Sequence, residues 1–143
     1  DDGQLLTEGT AVLQYLGQRK PEAGLAPAFG SLDHYRLVEW LGYINSELHK
    51  SFGPLFDGKS PEATKTRARM MLSQRLRLAD RHLAERPFLL GDHFGVADAY
   101  LYTVLTWAPR VGVDLGPFPH LQDFMARVAQ RPSVVAAVAA EQA

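Results

Sequence analysis

Two residues near the start of the chain, Glu8 and Gly9, stand directly before a stretch with the spacing of an amphipathic helix. The free N–H groups and the dipole at a helix start favour a carboxylate by roughly 0.3–1 kcal/mol. The Glu8 carboxylate would in turn bind an ammonium group. Together they would suit the head group of an amino acid, although the same residues also fit an ordinary helix start.

A second group with chemical potential lies near the end of a long apolar-periodic segment: Ser46, Glu47, His49 and Lys50. Leu48 belongs to the apolar row, so His49 is predicted one step around, at the edge of the packed face. A histidine there either reaches a ligand or is a surface residue. The other histidines show no i, i+4 pairing and no HExxH pattern, so no metal site is expected.

Composition excludes several classes of protein. The 143 residues are enough for one compact domain, the net charge is −1, and there is no cysteine for a disulfide, a thiolate metal site or a nucleophile. Residues 59–86 carry a local excess of basic residues without interleaved aromatics, which is typical of a solvated helix face and not of a nucleic-acid site. No apolar run approaches the ~20 residues that span a bilayer. We therefore expect a cytoplasmic protein with neither nucleic acid nor membrane as a partner.

The elements that must position these residues are predicted to be helices. Helices are expected from Gly9 to about Arg19, from the cap Ser31 to about Phe52, and from a start at Ser60, Pro61 and Glu62. Later helices are expected at Val96–Ala108, from Pro119, and in a short segment after Pro132, with a loop at Pro87–Asp92. The fold class is all-α.

The helix that begins at Val96 is apolar all round, which is typical of a buried central helix. Asp98 is its one charged residue. If Gly95 is the cap, the Asp98 carboxylate reaches back to the Gly95 N–H and stabilises the start by about 0.5–2 kcal/mol. Gly95 has no side chain with which to return the bond.

The first residues do not have the pattern of a domain start. Asp1, Asp2 and Gly3 have turn chemistry, and Leu5 to Thr7 read as the end of a strand or turn that runs into the first helix. We therefore expect a larger unit upstream of this chain.

Four segments resemble the glutathione transferases, most closely the bacterial beta class: LLTEGTAVLQYL, EWLGYINSELHKSF, PFLLGDHFGVADAYLYTVLTWA and FPHLQDFMARVAQRPSV. The resemblance covers nearly the whole chain. It implies a remnant of a thioredoxin-like domain (its last strand and helix) in residues 1–20, a linker in 21–30, and the C-terminal helical bundle in 31–143.

The resemblance also implies roles for individual residues. Glu8 and Gly9 match positions that hold the γ-glutamyl end of glutathione. Ser46, Glu47, His49 and Lys50 match the segment that lines the glutathione site, partly across a dimer interface, and His49 matches a catalytic histidine that reaches the sulfur and donates a hydrogen bond to it. Trp107 matches an aromatic beside the second-substrate cleft, and Asp98 a buried capping aspartate. Gly42 stands where beta-like relatives often carry a glutathione-contacting asparagine, so that contact is not expected here.

The function implied is conjugation of the glutathione thiolate to small electrophiles, a detoxification chemistry, by a homodimer that uses glutathione as a substrate and no metal. Without the upstream domain, we expect this chain to have negligible conjugation activity. Two alternatives remain open: a non-catalytic interaction module of the same fold, and a glutathione-dependent disulfide reductase.

Overall fold

The structure is a computed structural model that describes residues 2–141, and within that range it contains helices and no strand. Asp1 of the predicted turn, and Gln142 and Ala143 of the predicted helical domain, lie outside it. The α-helices are α1 (Gly9–Arg19), α2 (Leu32–Tyr43), α3 (Gly53–Phe56), α4 (Glu62–Leu83), α5 (Val96–Leu105), α6 (Pro119–Ala129) and α7 (Pro132–Glu141). The all-α prediction is confirmed.

Helix α5 is the centre of the bundle, as its uniform apolarity predicts. It buries Val96, Ala97, Leu101, Val104 and Leu105 and packs against α1, α2 and α6. The stripe predicted on α4 is also buried, with Leu72, Leu76 and Ala79 fully inside.

A polar contact fixes α6 on α4. The Asp80 carboxylate accepts the backbone N–H groups of His120 and Leu121, at 2.9 and 3.0 Å. These two donors belong to the first turn of α6, where no intrahelical partner exists. Asp80 therefore caps α6 from a neighbouring helix.

The long second helix is not continuous, which corrects the prediction of one helix from Ser31 to Phe52. Ser31 does cap it, with its Oγ accepting the His34 N–H at 3.1 Å. A π-turn then occupies Ile44–Leu48 and a 3-10 turn His49–Phe52, before α3. The extra residue in a π-turn changes the direction in which the following side chains point. The apolar row survives the change, since Ile44, Leu48 and Phe52 are all fully buried.

The start of α4 also differs from the prediction. Ser60 does not cap the helix; its Oγ donates instead to Asp57 Oδ2 at 3.0 Å. The Pro61 carbonyl accepts the first helical bonds, from Thr64 and Lys65. The Ser60 hydroxyl bonds to Asp57 and does not cap α4, because the Asp57 carboxylate lies only three residues away.

Asp98 closes the start of α5 as predicted. Its two carboxylate oxygens accept the N–H groups of Gly95 and Leu89, each at 2.8 Å. Burial raises the pKa of Asp98 to about 6, and the two backbone hydrogen bonds oppose that rise only in part.

The glycine at position 95 has a steric reason. The segment between α1 and α2 crosses the start of α5, where the Leu25 carbonyl accepts the Val96 N–H at 2.9 Å. A Cβ on Gly95 would lie only 2.9 Å from the same Leu25 oxygen. The usual serine or threonine cap would therefore displace this segment.

Residues 5–7, expected to end a strand or turn, form no strand, because the described residues provide no strand with which they could pair. Gly17 fits α1 closely against α5: a Cβ there would lie 2.8 Å from the Ala26 Cβ and 3.3 Å from Val96. The neighbouring Leu16 is half exposed and lines a surface groove together with Leu5 and Leu6. No helix in residues 2–141 is long and apolar enough to cross a membrane.

Candidate functional site

An open cleft of about 570 Å³ lies where the π-turn and the 3-10 turn face the end of α5. Its walls are formed by Asn45, His49, Lys50, Gly53, Phe56 and Trp107. Three residues of the predicted site, His49, Lys50 and Trp107, are thus brought together although the first and the last are 58 positions apart in sequence.

Aromatic rings hold the imidazole of His49 in place. Its ring lies edge-to-face with Trp107, at 4.8 Å between centroids and an interplanar angle of 77°. Trp107 in turn packs against Phe52 and Phe56, at 5.6 and 5.7 Å. The side of the cleft next to His49 is therefore apolar, which suits an apolar ligand beside a polar reacting atom.

A hydrogen-bonded chain engages one nitrogen of His49. Its Nδ1 lies 2.8 Å from the Tyr100 hydroxyl oxygen, and that hydroxyl lies 3.0 Å from Asn45 Oδ1. Burial raises the pKa of the Tyr100 hydroxyl, so the phenol stays protonated at neutral pH. Nε2 forms no hydrogen bond with residues 2–141 and remains for a ligand.

Sequence reasoning missed Asn45 and Tyr100. Asn45 precedes the predicted group Ser46–Lys50 by one position, and Tyr100 follows the buried Asp98 by two. A tyrosine in an otherwise apolar helix needs a partner for its hydroxyl, which was a usable signal. Its partner, however, lies 51 residues away in sequence and could not be read from local spacing.

Ser46 and Glu47 do not line the cleft. The Glu47 carboxylate forms an ion pair with the Nε of Arg75 on α4 at 2.6 Å, and Ser46 Oγ donates to the Gly42 carbonyl at 3.0 Å. The hydrogen bond from Arg75 holds the pKa of Glu47 below its usual range. Glu47 thus faces α4, Ser46 bonds to its own helix, and their predicted contact with glutathione stays a prediction.

Glu8 has an unusual backbone at the start of α1. Its φ is +67° and its ψ 114°, a conformation that residues with a side chain rarely adopt. Its side chain makes no capping bond and forms no ion pair with residues 2–141, while its carbonyl accepts the Val12 N–H at 3.0 Å. Gly9 and the next N–H groups of α1 thus remain open beside an unengaged carboxylate.

Two arginines of the basic segment on α4 form local contacts. Arg69 donates to the Val111 carbonyl and to Glu62, and Arg75 to Glu47. Within residues 2–141 no three His, Asp or Glu side chains come close enough to hold a metal ion.

The comparison with known families decides what this fold and cleft belong to. The family model "Glutathione S-transferase, C-terminal domain" matches residues 38–132, which include the π-turn, the cleft and α5.

The chain belongs to the glutathione S-transferase family. It is 43% identical over 141 residues to the glutathione S-transferase GstA of Escherichia coli O157:H7, covering 99% of this chain and 70% of that protein.

Solved structures of glutathione S-transferases share the fold. A sphingomonad glutathione S-transferase complexed with glutathione is 43% identical with a TM-score of 0.95, over 99% of this chain and 71% of that one. A bacterial beta class enzyme from Sphingomonas chungbukensis is 42% identical with a TM-score of 0.94, over 99% and 70%. The resemblance to beta-class glutathione transferases is thereby confirmed.

Proposed function

We propose that this chain is part of a glutathione transferase in which the start of α1 holds the γ-glutamyl end of glutathione and His49 faces its sulfur. The observation that carries the proposal is the His49 cleft, where an imidazole nitrogen that bonds to none of the described residues lies beside an apolar wall. The family supports it, because relatives at 42–43% identity are named glutathione S-transferases.

The head-group contacts follow from charge. An α-carboxylate would accept the open N–H groups at Gly9 and the next residue, and the Glu8 carboxylate would accept the adjacent ammonium. The positive φ of Glu8 supports this role, since strained backbone of this kind is retained where it aims a functional group.

The site must supply enough free energy to lower the pKa of the glutathione thiol. A thiol with a pKa near 8.5 is only about 3% ionised at pH 7, and lowering that pKa by two needs about 2.7 kcal/mol. A charge-assisted hydrogen bond contributes about 1.5–3 kcal/mol. One such bond from His49, with the ammonium of Lys50 nearby on the same wall, is sufficient.

The electrophile would lie against Phe56 and Trp107. Both rings border the cleft and leave little for a polar substrate to bond to, so aromatic or alkyl electrophiles are favoured.

We propose the domain arrangement implied by the resemblance: residues 1–20 form the end of a thioredoxin-like domain, 21–30 the linker and 31–143 the helical domain. The support is the apolar surface formed by α1 and the residues before it, where Leu5 is 88% and Leu16 54% exposed. A packed domain would cover these side chains, and conjugation would require it. Ser46, Glu47 and Lys50 would complete glutathione binding within a homodimer.

The named relatives are transferases, which favours conjugation over an interaction module. Nothing in this chain supports the disulfide reductase alternative, because the chain has no cysteine that could exchange with a disulfide.

The test is an assay with a thioredoxin-like domain of a relative joined ahead of this chain. The joined protein should conjugate glutathione to a chloronitroaromatic and bind immobilised glutathione, while the present chain alone should do neither at a measurable rate. Absence of both in a joined protein that folds cooperatively would refute the proposal.

A further inference from the structure

We infer that Tyr100 and Asn45 are positioning residues that fix the tautomer of His49, keeping the proton on Nδ1 and the lone pair of Nε2 toward the cleft. This inference deepens the proposed function, but its test does not depend on glutathione chemistry. It rests on the two hydrogen bonds that join Asn45, Tyr100 and His49.

The donors and acceptors in this chain can be assigned in sequence. The Oδ1 atom of Asn45 can only accept, so the Tyr100 hydroxyl must donate its single hydrogen to it. The Tyr100 oxygen then faces Nδ1 with lone pairs alone. A bond of 2.8 Å therefore requires Nδ1 of His49 to carry the hydrogen.

The position of each partner is itself fixed. Asn45 lies in the π-turn and its carbonyl accepts the His49 N–H, so the two side chains leave the backbone within one turn. Tyr100 lies two residues beyond Asp98, whose buried carboxylate anchors the start of α5. The ring of Tyr100 meets His49 at 5.8 Å and 75°.

The consequence changes what His49 does. In the neutral Nδ1–H tautomer, Nε2 has no hydrogen to donate to sulfur, which differs from the simple hydrogen-bond donor expected from the resemblance. Instead, Nε2 accepts the proton as the S–H bond of glutathione breaks, and the electron pair of that bond stays on sulfur as a thiolate. The new Nε2–H then faces the thiolate as a cationic donor, while Nδ1–H stays bonded to Tyr100.

The step that follows is balanced without a further reactant. The thiolate forms a carbon–sulfur bond to the electrophile, and the leaving group departs with the electrons of its own bond. His49 then releases the Nε2 proton to solvent, which restores the starting tautomer.

The test reads the tautomer directly in the present chain. Long-range ¹H–¹⁵N correlation spectra, recorded at a pH where the ring is neutral, distinguish a protonated from an unprotonated ring nitrogen, and a His49→Gln variant assigns the signals. We expect Nδ1 protonated and Nε2 unprotonated. The opposite tautomer, or an even mixture, would overturn the inference.

Variants separate positioning from mere packing. Tyr100→Phe keeps the ring but removes the acceptor, and Asn45→Ala lets the Tyr100 hydroxyl turn its hydrogen toward Nδ1; both should shift His49 toward the Nε2–H form. Asn45→Asp retains an oxygen facing Tyr100 and should preserve the Nδ1–H form. The matched control is Tyr102→Phe on the same helix, because the Tyr102 hydroxyl bonds to none of the described residues, and it should leave the spectrum unchanged. If Tyr100→Phe and Asn45→Ala both keep the original tautomer, Tyr100 and Asn45 do not fix the tautomer of His49 and the inference is wrong.

Adding glutathione afterwards tests the proposed function separately from the inference about the tautomer of His49. A change in the chemical shift of Nε2 without a change at Nδ1 would support both the tautomer and the proposed function. If the His49 nitrogen signals of the joined protein do not respond to millimolar glutathione while the Nδ1–H tautomer is intact, the result would count against the proposed function. It would leave the inference about the tautomer supported. In that protein Tyr100→Phe should lower kcat about tenfold with little change in KM for glutathione, as expected when a base loses its orientation.

Discussion

At the scale of single residues, Glu8 combines an unfavourable backbone with a side chain that forms no ion pair or capping bond with the residues that the structure describes. A residue with a side chain in such a φ,ψ region costs of order 1–3 kcal/mol, and the Glu8 carboxylate recovers none of it through an ion pair within residues 2–141. We interpret this as stability given up to aim the carboxylate at a ligand.

Two substitutions at this residue should therefore behave differently. Glu8→Gly should raise the free energy of unfolding by about 1 kcal/mol, because glycine adopts a positive φ freely, and it should weaken glutathione binding. Glu8→Gln keeps the strain and should leave stability unchanged, yet it should weaken binding roughly tenfold through loss of a charged hydrogen bond. Denaturant unfolding and glutathione titration in the joined protein measure both, with the exposed Glu22→Gln as control. A destabilised Glu8→Gly variant would contradict the interpretation.

Residue types also show how far sequence reasoning reaches. The Asp98 cap was predictable because its partner Gly95 is three residues away, and the Ser31 cap because its partner His34 is equally close. The Glu47 carboxylate was expected to face glutathione, but whether Arg75 would engage it depends on how α4 packs. That packing is not written in the residues around Glu47.

At the scale of elements, the start of α5 is where the linker, the cap and the core meet. Leu25 and Asp98 together take up the N–H groups of Val96, Gly95 and Leu89. The position of Tyr100, and through it that of His49, depends on this junction.

Gly95→Ser should destabilise the protein although serine is ordinarily a favourable cap. The new Cβ would lie 2.9 Å from the Leu25 oxygen, which can move only if the hydrogen bond to Val96 is disturbed. We expect a loss of about 1–3 kcal/mol, with Gly95→Ala at least as severe since it clashes without capping. Thermal unfolding of the two variants is the measurement, and a rise in Tm for Gly95→Ser would contradict this steric account.

The raised pKa of Asp98 makes stability depend on pH in a definite direction. Between its ordinary value of 3.8 and about 6, the folded state holds a proton that the unfolded state has released. The contribution of Asp98 to stability is thus complete below pH 3.8 and is lost as pH rises through about 6, a difference of about 3 kcal/mol.

Asp98→Asn should remove this dependence. The variant will be less stable overall, because one of the two backbone N–H groups loses its acceptor at a cost of about 1–3 kcal/mol. Its free energy of unfolding should, however, fall less steeply than that of the unmodified protein between pH 4 and 7, as measured by urea unfolding at each pH. Identical slopes for the two proteins would show that Asp98 is ionised in the folded state throughout.

The π-turn at Ile44–Leu48 shows why the presence of a helix is easier to predict from sequence than its internal geometry. The row Leu41, Ile44, Leu48 and Phe52 keeps the three- or four-residue spacing of an uninterrupted helix. That spacing tolerates one widened turn, so the pattern could not reveal it. The turn nevertheless decides that Asn45 and His49 face the cleft while Glu47 faces Arg75.

At the scale of the whole molecule, the packed core was predictable because its helices carry their own apolar stripes. The cleft was not, since it depends on contacts between residues about 50 positions apart, such as His49 with Tyr100. The resemblance bridged that distance for His49 and Trp107, whose counterparts it supplied, but not for Tyr100.

Association is a property of the whole molecule that the surface anticipates. Exposed apolar side chains lie on α2, where Leu32 is 69% and Tyr35 62% exposed. Covering a patch of this kind favours association. In the joined protein we expect a homodimer, measured as twice the chain mass by light scattering at micromolar concentration. A monomer under those conditions would contradict the dimer proposal.

We propose that the start of α1 and the His49 cleft are two ends of one glutathione site. The most direct test is a glutathione titration of the joined protein that follows the Gly9 amide and the His49 ring nitrogens in the same NMR samples. Both signals should move with a single midpoint, and Glu8→Gln should shift both midpoints together to higher glutathione concentration. Movement at only one end, or a His49 midpoint that Glu8→Gln leaves unchanged, would contradict it.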